Sequence, residues 1–130
     1  MSSTSREDEA QKFLGQLQMK MIEIQTSLRK STGQIEGLKR EIQRAKLTDK
    51  EINTMKAETP MFSPVGRMFV LNSKNEIREQ IEKKIKTCDD DIKKQEASKA
   101  YLEKQMRECE SQFKERLAGA TGAAAKKNRS

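Results

Sequence analysis

The side chains best equipped for chemistry in this sequence are two thiols, Cys88 and Cys109, and a run of three carboxylates, Asp89-Asp90-Asp91. Neither set makes a reactive site. A redox or zinc-binding cysteine pair needs its thiols a few residues apart, whereas these stand 21 positions apart, and the chain has no histidine to complete a metal shell or serve as a base. Along one helix that spacing is about 30 Å, too far for a disulfide. Both cysteines therefore read as small buried apolar residues of a reducing compartment. Consecutive helical carboxylates point in different directions, so the aspartate run reads as a solvated acidic patch. The six glycines, at 15, 33, 37, 66, 119 and 122, form neither GxGxxG nor GxxxxGK[ST], which leaves a nucleotide no phosphate cradle. No catalytic residue, metal or cofactor is expected, and the chain is not read as an enzyme.

The remaining residues must then act through shape and surface. Of 130 residues only 33% are hydrophobic and 4% aromatic, against 36% charged, and the mean hydropathy is −0.95. That composition cannot fill a compact core, but it suits a coiled coil. From Leu14 the apolar positions step by three and four through Leu17, Met21, Ile24, Leu28, Ile35, Leu38, Ile42 and Ala45, broken only by Ser31. This is an a/d seam that needs a partner helix. A second seam follows, with Ile81, Ile85, Cys88, Ile92, Leu102, Met106, Cys109 and Phe113, interrupted by Gln95 and Lys99. Buried polar seam residues of that kind set register and orientation. The two seams fit an antiparallel hairpin in which paired residue numbers sum to 123, as in Leu38 with Ile85, other registers being open. A stem of about 35 to 45 residues per helix would be on the order of 50 to 65 Å long.

Between the seams lies TPMFSPVGRMFVLN. Thr48-Asp49-Lys50-Glu51 reads as a capping box that starts a short helix through Met55, and Ser73-Lys74-Asn75-Glu76 as one that starts the second long helix. Pro60 and Pro64 forbid a helix, Val65-Gly66 supplies a turn, and Arg67 to Leu71 has strand composition, which together predict one β-hairpin at the bend. A two-stranded hairpin is marginal in water, and this one is apolar on both faces. Its edges invite strands from other chains, so an oligomer held at the bend is expected.

In the half of the helical hairpin remote from the bend, Phe13, Met19, Ile22, Tyr101 and Leu117 fall outside the a and d positions and suggest an apolar binding surface. Methionine repacks at low cost and suits varied contacts. The net charge is +7, but Lys126, Lys127 and Arg129 supply three charges in the final segment and the rest alternate in sign along the helices. The longest apolar run, Met68 to Leu71, is far too short to span a membrane, and the first residues are polar. A cytoplasmic protein is expected, with the nucleus left open as a second location, and neither a membrane nor a specific nucleic acid as partner.

Helix, single β-hairpin, helix, with LTDKEI before the insert and VGRMFVL across its turn and second strand, resembles a β-type subunit of prefoldin, a hexameric co-chaperone. The matching residues are Leu47, Thr48, Glu51, Glu58, Thr59, Val65, Gly66, Arg67, Met68, Phe69, Leu71, Ser73 and Lys74, with Tyr101 to Lys104 in the second helix. Pro64 and the Ala/Lys tail depart from the family pattern. The resemblance implies a heterohexamer of α-type and β-type chains whose hairpins close a double β-barrel from which coiled-coil arms project. It also implies capture of unfolded actin and tubulin by the arm ends and their delivery to the cytosolic group II chaperonin without ATP. On that basis Met61, Phe62, Val65, Gly66, Met68, Phe69, Val70 and Leu71 are assigned to subunit assembly, and Phe13, Leu14, Leu17, Phe113 and Leu117 to client contact. The expected organisation is a flexible N-terminus at 1–9, coiled-coil helices at 10–46 and 74–118, a short helix plus β-hairpin at 47–73, and a disordered basic tail at 119–130.

Two other functions stay open. A coiled-coil scaffold or tether would use the helices alone and gives the apolar hairpin no purpose. A DNA-binding zipper needs a basic entry helix, but Arg6 and Lys12 are offset by Glu7, Asp8 and Glu9.

Overall fold

A computed structural model describes the backbone of residues 2–128 and the side chains of residues 5–119. Two long helices, α1 (Ser2–Thr54) and α2 (Lys74–Asn128), flank a two-stranded antiparallel sheet of β1 (Met61–Val65) and β2 (Met68–Asn72). The chain divides into a terminal unit, Met1–Thr32 with Ala97–Ser130, and a hairpin unit, Gly33–Glu96.

Each unit is built on its own stretch of seam. In the terminal unit Leu17, Ile24 and Cys109 are buried, with Phe13, Met21, Leu28, Leu102, Met106 and Phe113 packed against them. In the hairpin unit Ile35, Ile42, Cys88 and Ile92 form the core, flanked by Leu38 and Ile85. These are the a and d positions of the two heptad patterns. Fully burying such a side chain contributes roughly 1.5–3 kcal/mol, whereas neighbours at the other heptad positions carry charge into solvent. Ser31 is buried within the terminal unit, and Gln95 and Lys99 are half-buried in their respective units.

Helix α1 does not break at the expected capping box. Thr48 lies within the helix, and its Oγ1 donates to the Arg44 carbonyl four residues back at 2.9 Å, so the hydroxyl is not free to cap an N-terminus. Burial explains the continuity. Ile52 follows Ala45 by one heptad and both are buried, so the seam runs through the segment that local cap chemistry would have interrupted. The helix ends where Met55 N–H donates to the Ile52 carbonyl at 3.0 Å, a tightened last turn.

Helix α2 begins as the second capping box predicts. The Glu76 amide donates to Ser73 Oγ at 3.2 Å, and the Ser73 amide to Glu76 Oε2 at 3.3 Å. The helix then runs on to Asn128, through the segment expected to be a disordered tail. Ala120, Ala123, Ala124, Ala125, Lys126 and Lys127 are strong helix formers and no proline stops them. Likewise, the segment expected to be a flexible N-terminus is helical from Ser2, since no breaker precedes the seam. Met1, Arg129 and Ser130 lie outside the described residues.

The register also differs from the simplest a-to-d pairing. Bonded pairs across the helices of the hairpin unit have numbers summing to 127 for Asp49 with Arg78 and 129 for Glu41 with Cys88, a displacement of between about one and two helical turns from 123. A heptad seam permits several apolar pairings, and polar contacts at the bend select among them. Lys74 Nζ donates to the carbonyls of Asn53 at 3.2 Å and Met55 at 2.8 Å, and Arg78 donates to Asp49 at 3.1 Å and Asn53 at 3.2 Å. No basic residue lies in the last turn of α1, so Lys74 supplies the cation that its carbonyls lack.

Burial pushes the Cys88 thiol above its ordinary range, and the Glu41 carboxylate, which accepts from Sγ at 3.6 Å, pushes it further. The folded chain therefore keeps this proton to higher pH than the unfolded chain. The resulting contribution is constant below the unfolded thiol pKa of about 8.5 and is lost as pH rises above it. In urea titrations at pH 7 to 10, Cys88→Val should lose less stability with rising pH than the wild-type chain. Identical slopes would show that the thiol makes no such contribution.

Candidate functional site

The hairpin turns through Gly66 and Arg67. Gly66 takes φ +61° and no other described residue takes a positive φ, the pattern of a two-residue turn with glycine at its first position. The register pairs Met61 with Asn72, Phe62 with Leu71, Ser63 with Val70, Pro64 with Phe69 and Val65 with Met68. Cross-strand partners share a face, so Phe62, Pro64, Phe69 and Leu71 form one face, and Met61, Ser63, Val65, Met68, Val70 and Asn72 the other.

The mixed face is tied to the chain at its base. Met61 is 7% exposed, and Asn72 Nδ2 donates to Ser63 Oγ at 2.6 Å while Ser63 Oγ donates to Gln80 Oε1 of α2 at 3.3 Å. Toward the turn, Val65 and Met68 are exposed. On the other face Phe62 is 61%, Phe69 73% and Leu71 63% exposed. An apolar face this open on a two-stranded ribbon is a surface built to be covered. Of the eight residues assigned to assembly, the structure brings all into this hairpin, but Met61 packs against its own chain. Sequence reasoning missed the supporting residues Asp49, Asn53, Lys74, Arg78 and Gln80. Asp49 and Lys74 read only as members of capping boxes and Asn53, Arg78 and Gln80 had no assigned role, so the one available signal was their closeness in sequence to the hairpin.

The five residues assigned to client contact lie in the terminal unit, but they are not equivalent. Leu17 is 5% exposed and belongs to the seam core, so it is not available to a client. Its d position required this. Phe13 and Phe113 are half-buried against the same core, and the Arg116 guanidinium lies 4.2 Å from the centre of the Phe13 ring. Leu14 is half-buried and Leu117 exposed. The more open apolar groups of this unit are Met19, Ile22 and Tyr101. Met19 and Ile22 stand three apart on one face of α1, and Gln105 Nε2 donates to Tyr101 Oη at 3.0 Å.

Among the described residues no group of acidic, cysteine or histidine side chains is placed to hold a metal, and no helix is long and apolar enough to cross a membrane. Cys88 and Cys109 are both buried free thiols.

Comparison with known proteins agrees with the geometry. Residues 15–120 match the family model described as prefoldin subunit. Prefoldin subunit 1 of Danio rerio and of Homo sapiens are each 41% identical over 109 residues, covering 84% of this chain and 89% of the relative. Prefoldin subunit 1 of Arabidopsis thaliana is 32% identical over 109 residues, covering 84% of this chain and 85% of the relative. In fold, the chain is similar to the crystal structure of the prefoldin beta subunit from Thermococcus strain KS-1, with TM-score 0.68, 22% identity, and coverage of 82% of this chain and 90% of that one. Two seamed helices joined by a single β-hairpin, a family model spanning most of the chain, and relatives aligned over more than four-fifths of it place this protein in the prefoldin subunit family, whose members are chaperone components rather than enzymes.

Proposed function

We propose that this chain is a β-type subunit of a cytoplasmic heterohexamer that captures unfolded actin and tubulin and delivers them to the cytosolic group II chaperonin without ATP. The observation that carries the assembly part is the open apolar face of Phe62, Phe69 and Leu71, which a ribbon of two strands does not stabilise alone. Family membership implies that other prefoldin subunits cover it. Client contact falls to the exposed apolar groups of the terminal unit, Met19, Ile22 and Leu117, with the rims of Phe13, Leu14 and Phe113 beside them. Their scatter among charged residues suits weak, reversible holding of varied chains.

Native mass spectrometry of the tagged chain isolated from its own cytosol tests the assembly. A six-chain complex with unlike small coiled-coil subunits is expected, whereas a homodimer without them would favour the scaffold reading. Phe69→Asp should abolish incorporation, because an unpaired buried charge costs roughly 3–5 kcal/mol. A normal yield of complex from this variant would refute assembly through the hairpin. Joint Met19→Ser and Ile22→Ser replacement should leave the complex intact and weaken its suppression of unfolded actin aggregation severalfold. Undiminished suppression would remove these residues from the client surface.

A further inference from the structure

Helix α1 carries a second stripe that its own coiled coil does not use. Met19 and Ile22 are 65% and 66% exposed, and in the heptad frame they fall at f and b, as Thr26 falls at f and Gly15 at b. At about 100° per residue the four positions lie within roughly 60° of one another, on the side of the helix away from Leu17, Met21, Ile24 and Leu28. They run for about 16 Å, three turns, without a charge among them. Nothing lies within 4 Å of the place where a side chain on Gly15 would stand, so the helix can be approached closely there. The Thr26 hydroxyl donates to the Ile22 carbonyl at 3.0 Å, which takes its polar group out of the face.

The charges bordering the stripe have one dominant sign. Lys12 and Lys30 flank it on one side and Arg29 on the other, all exposed, and Glu23 is the single acidic residue from Lys12 to Thr32. The ion pair found among the described residues, Arg78 with Asp49, lies elsewhere. A second copy of this face would be repelled, whereas a partner with carboxylates beside its apolar residues is attracted. The stripe also favours one backbone conformation. An extended segment would lay its N–H and C=O groups on a helix whose backbone is already paired and that offers no strand edge. A helix brings its own backbone bonds and presents only side chains, and steps of four, three and four residues match the ridges of a second helix packed alongside.

We propose that this face of α1 receives an amphipathic helical segment of a client, with an apolar ridge flanked by carboxylates. The proposal rests on the reading of Met19 and Ile22 as client contacts and adds the class of segment they take, one already helical and acidic rather than extended.

Fluorescence anisotropy with labelled peptides on the complete reconstituted complex tests this. The probes are an acidic amphipathic helix with apolar residues at i, i+4, i+7 and i+11, its charge-reversed form with lysine for glutamate, and the acidic form with a central proline that prevents the helix. The acidic helix should bind about tenfold or more tighter than either control, and Ile22→Ser, at an exposed position that spares the seam, should weaken it by about tenfold. Arg29→Glu with Lys30→Glu should reverse the preference between the acidic and basic helices. Equal binding of the proline-bearing peptide overturns the helical occupant, and equal binding of the basic peptide overturns the selection for carboxylates. Binding of none of the three overturns both. An acidic helix held unchanged by the Ile22→Ser complex overturns the docking face. If joint Met19→Ser and Ile22→Ser replacement still weakens suppression of actin aggregation in any of these cases, the client reading survives; undiminished suppression removes that reading as well.

Discussion

Lys74, the first residue of α2, reaches back to the final carbonyls of α1, and the arrangement of the hairpin unit follows from that contact. The carbonyls at a helix end carry a partial negative charge with no partner of their own. By meeting it with a cation from the next helix, the chain joins the two helices at one point, and Arg78 on Asp49 and Asn53 repeats the link one turn on. Exposed ion pairs contribute little individually, so the importance of these bonds is geometric. They select one register among several that the heptads permit. They also hold the strands at the bend, where the Ser73 cap and the contact of Ser63 with Gln80 fix the base of the ribbon.

With its base fixed, the ribbon presents what it cannot hide. Met61 is buried on its own chain, whereas Phe62, Phe69 and Leu71 find no cover there. A chain with so few aromatic residues has placed two of its four phenylalanines on this face. The other two, Phe13 and Phe113, pack against the seam of the terminal unit. Aromatic area is therefore divided between packing against the seam and forming an exposed face on the ribbon.

Much of this was legible in the sequence because it rests on short-range patterns. The 3–4 spacing gave the seams, Ser73 with Glu76 gave the cap of α2, and Gly66 between two apolar runs gave the turn. The errors arose where a local signal met a longer one. Thr48 has cap chemistry, but the burial of Ile52 carries the helix through it. Leu17 is an apolar residue in the expected client region, yet its seam position commits it to the core. The register depended on Lys74 and Arg78, whose contacts are non-local and whose residue types are common on any solvated helix. In the last segment, polar and basic composition suggested disorder, and the helix propensity of its alanines and lysines outweighed that impression.

The uncovered ribbon also bears on how the chain must be produced. Until its neighbours arrive, each newly made copy displays the sort of apolar strand that distinguishes an unfinished protein from a finished one. Excess copies would be recognised by the same quality control that removes damaged chains. Coverage of the ribbon by other subunits would then set how much of the chain persists.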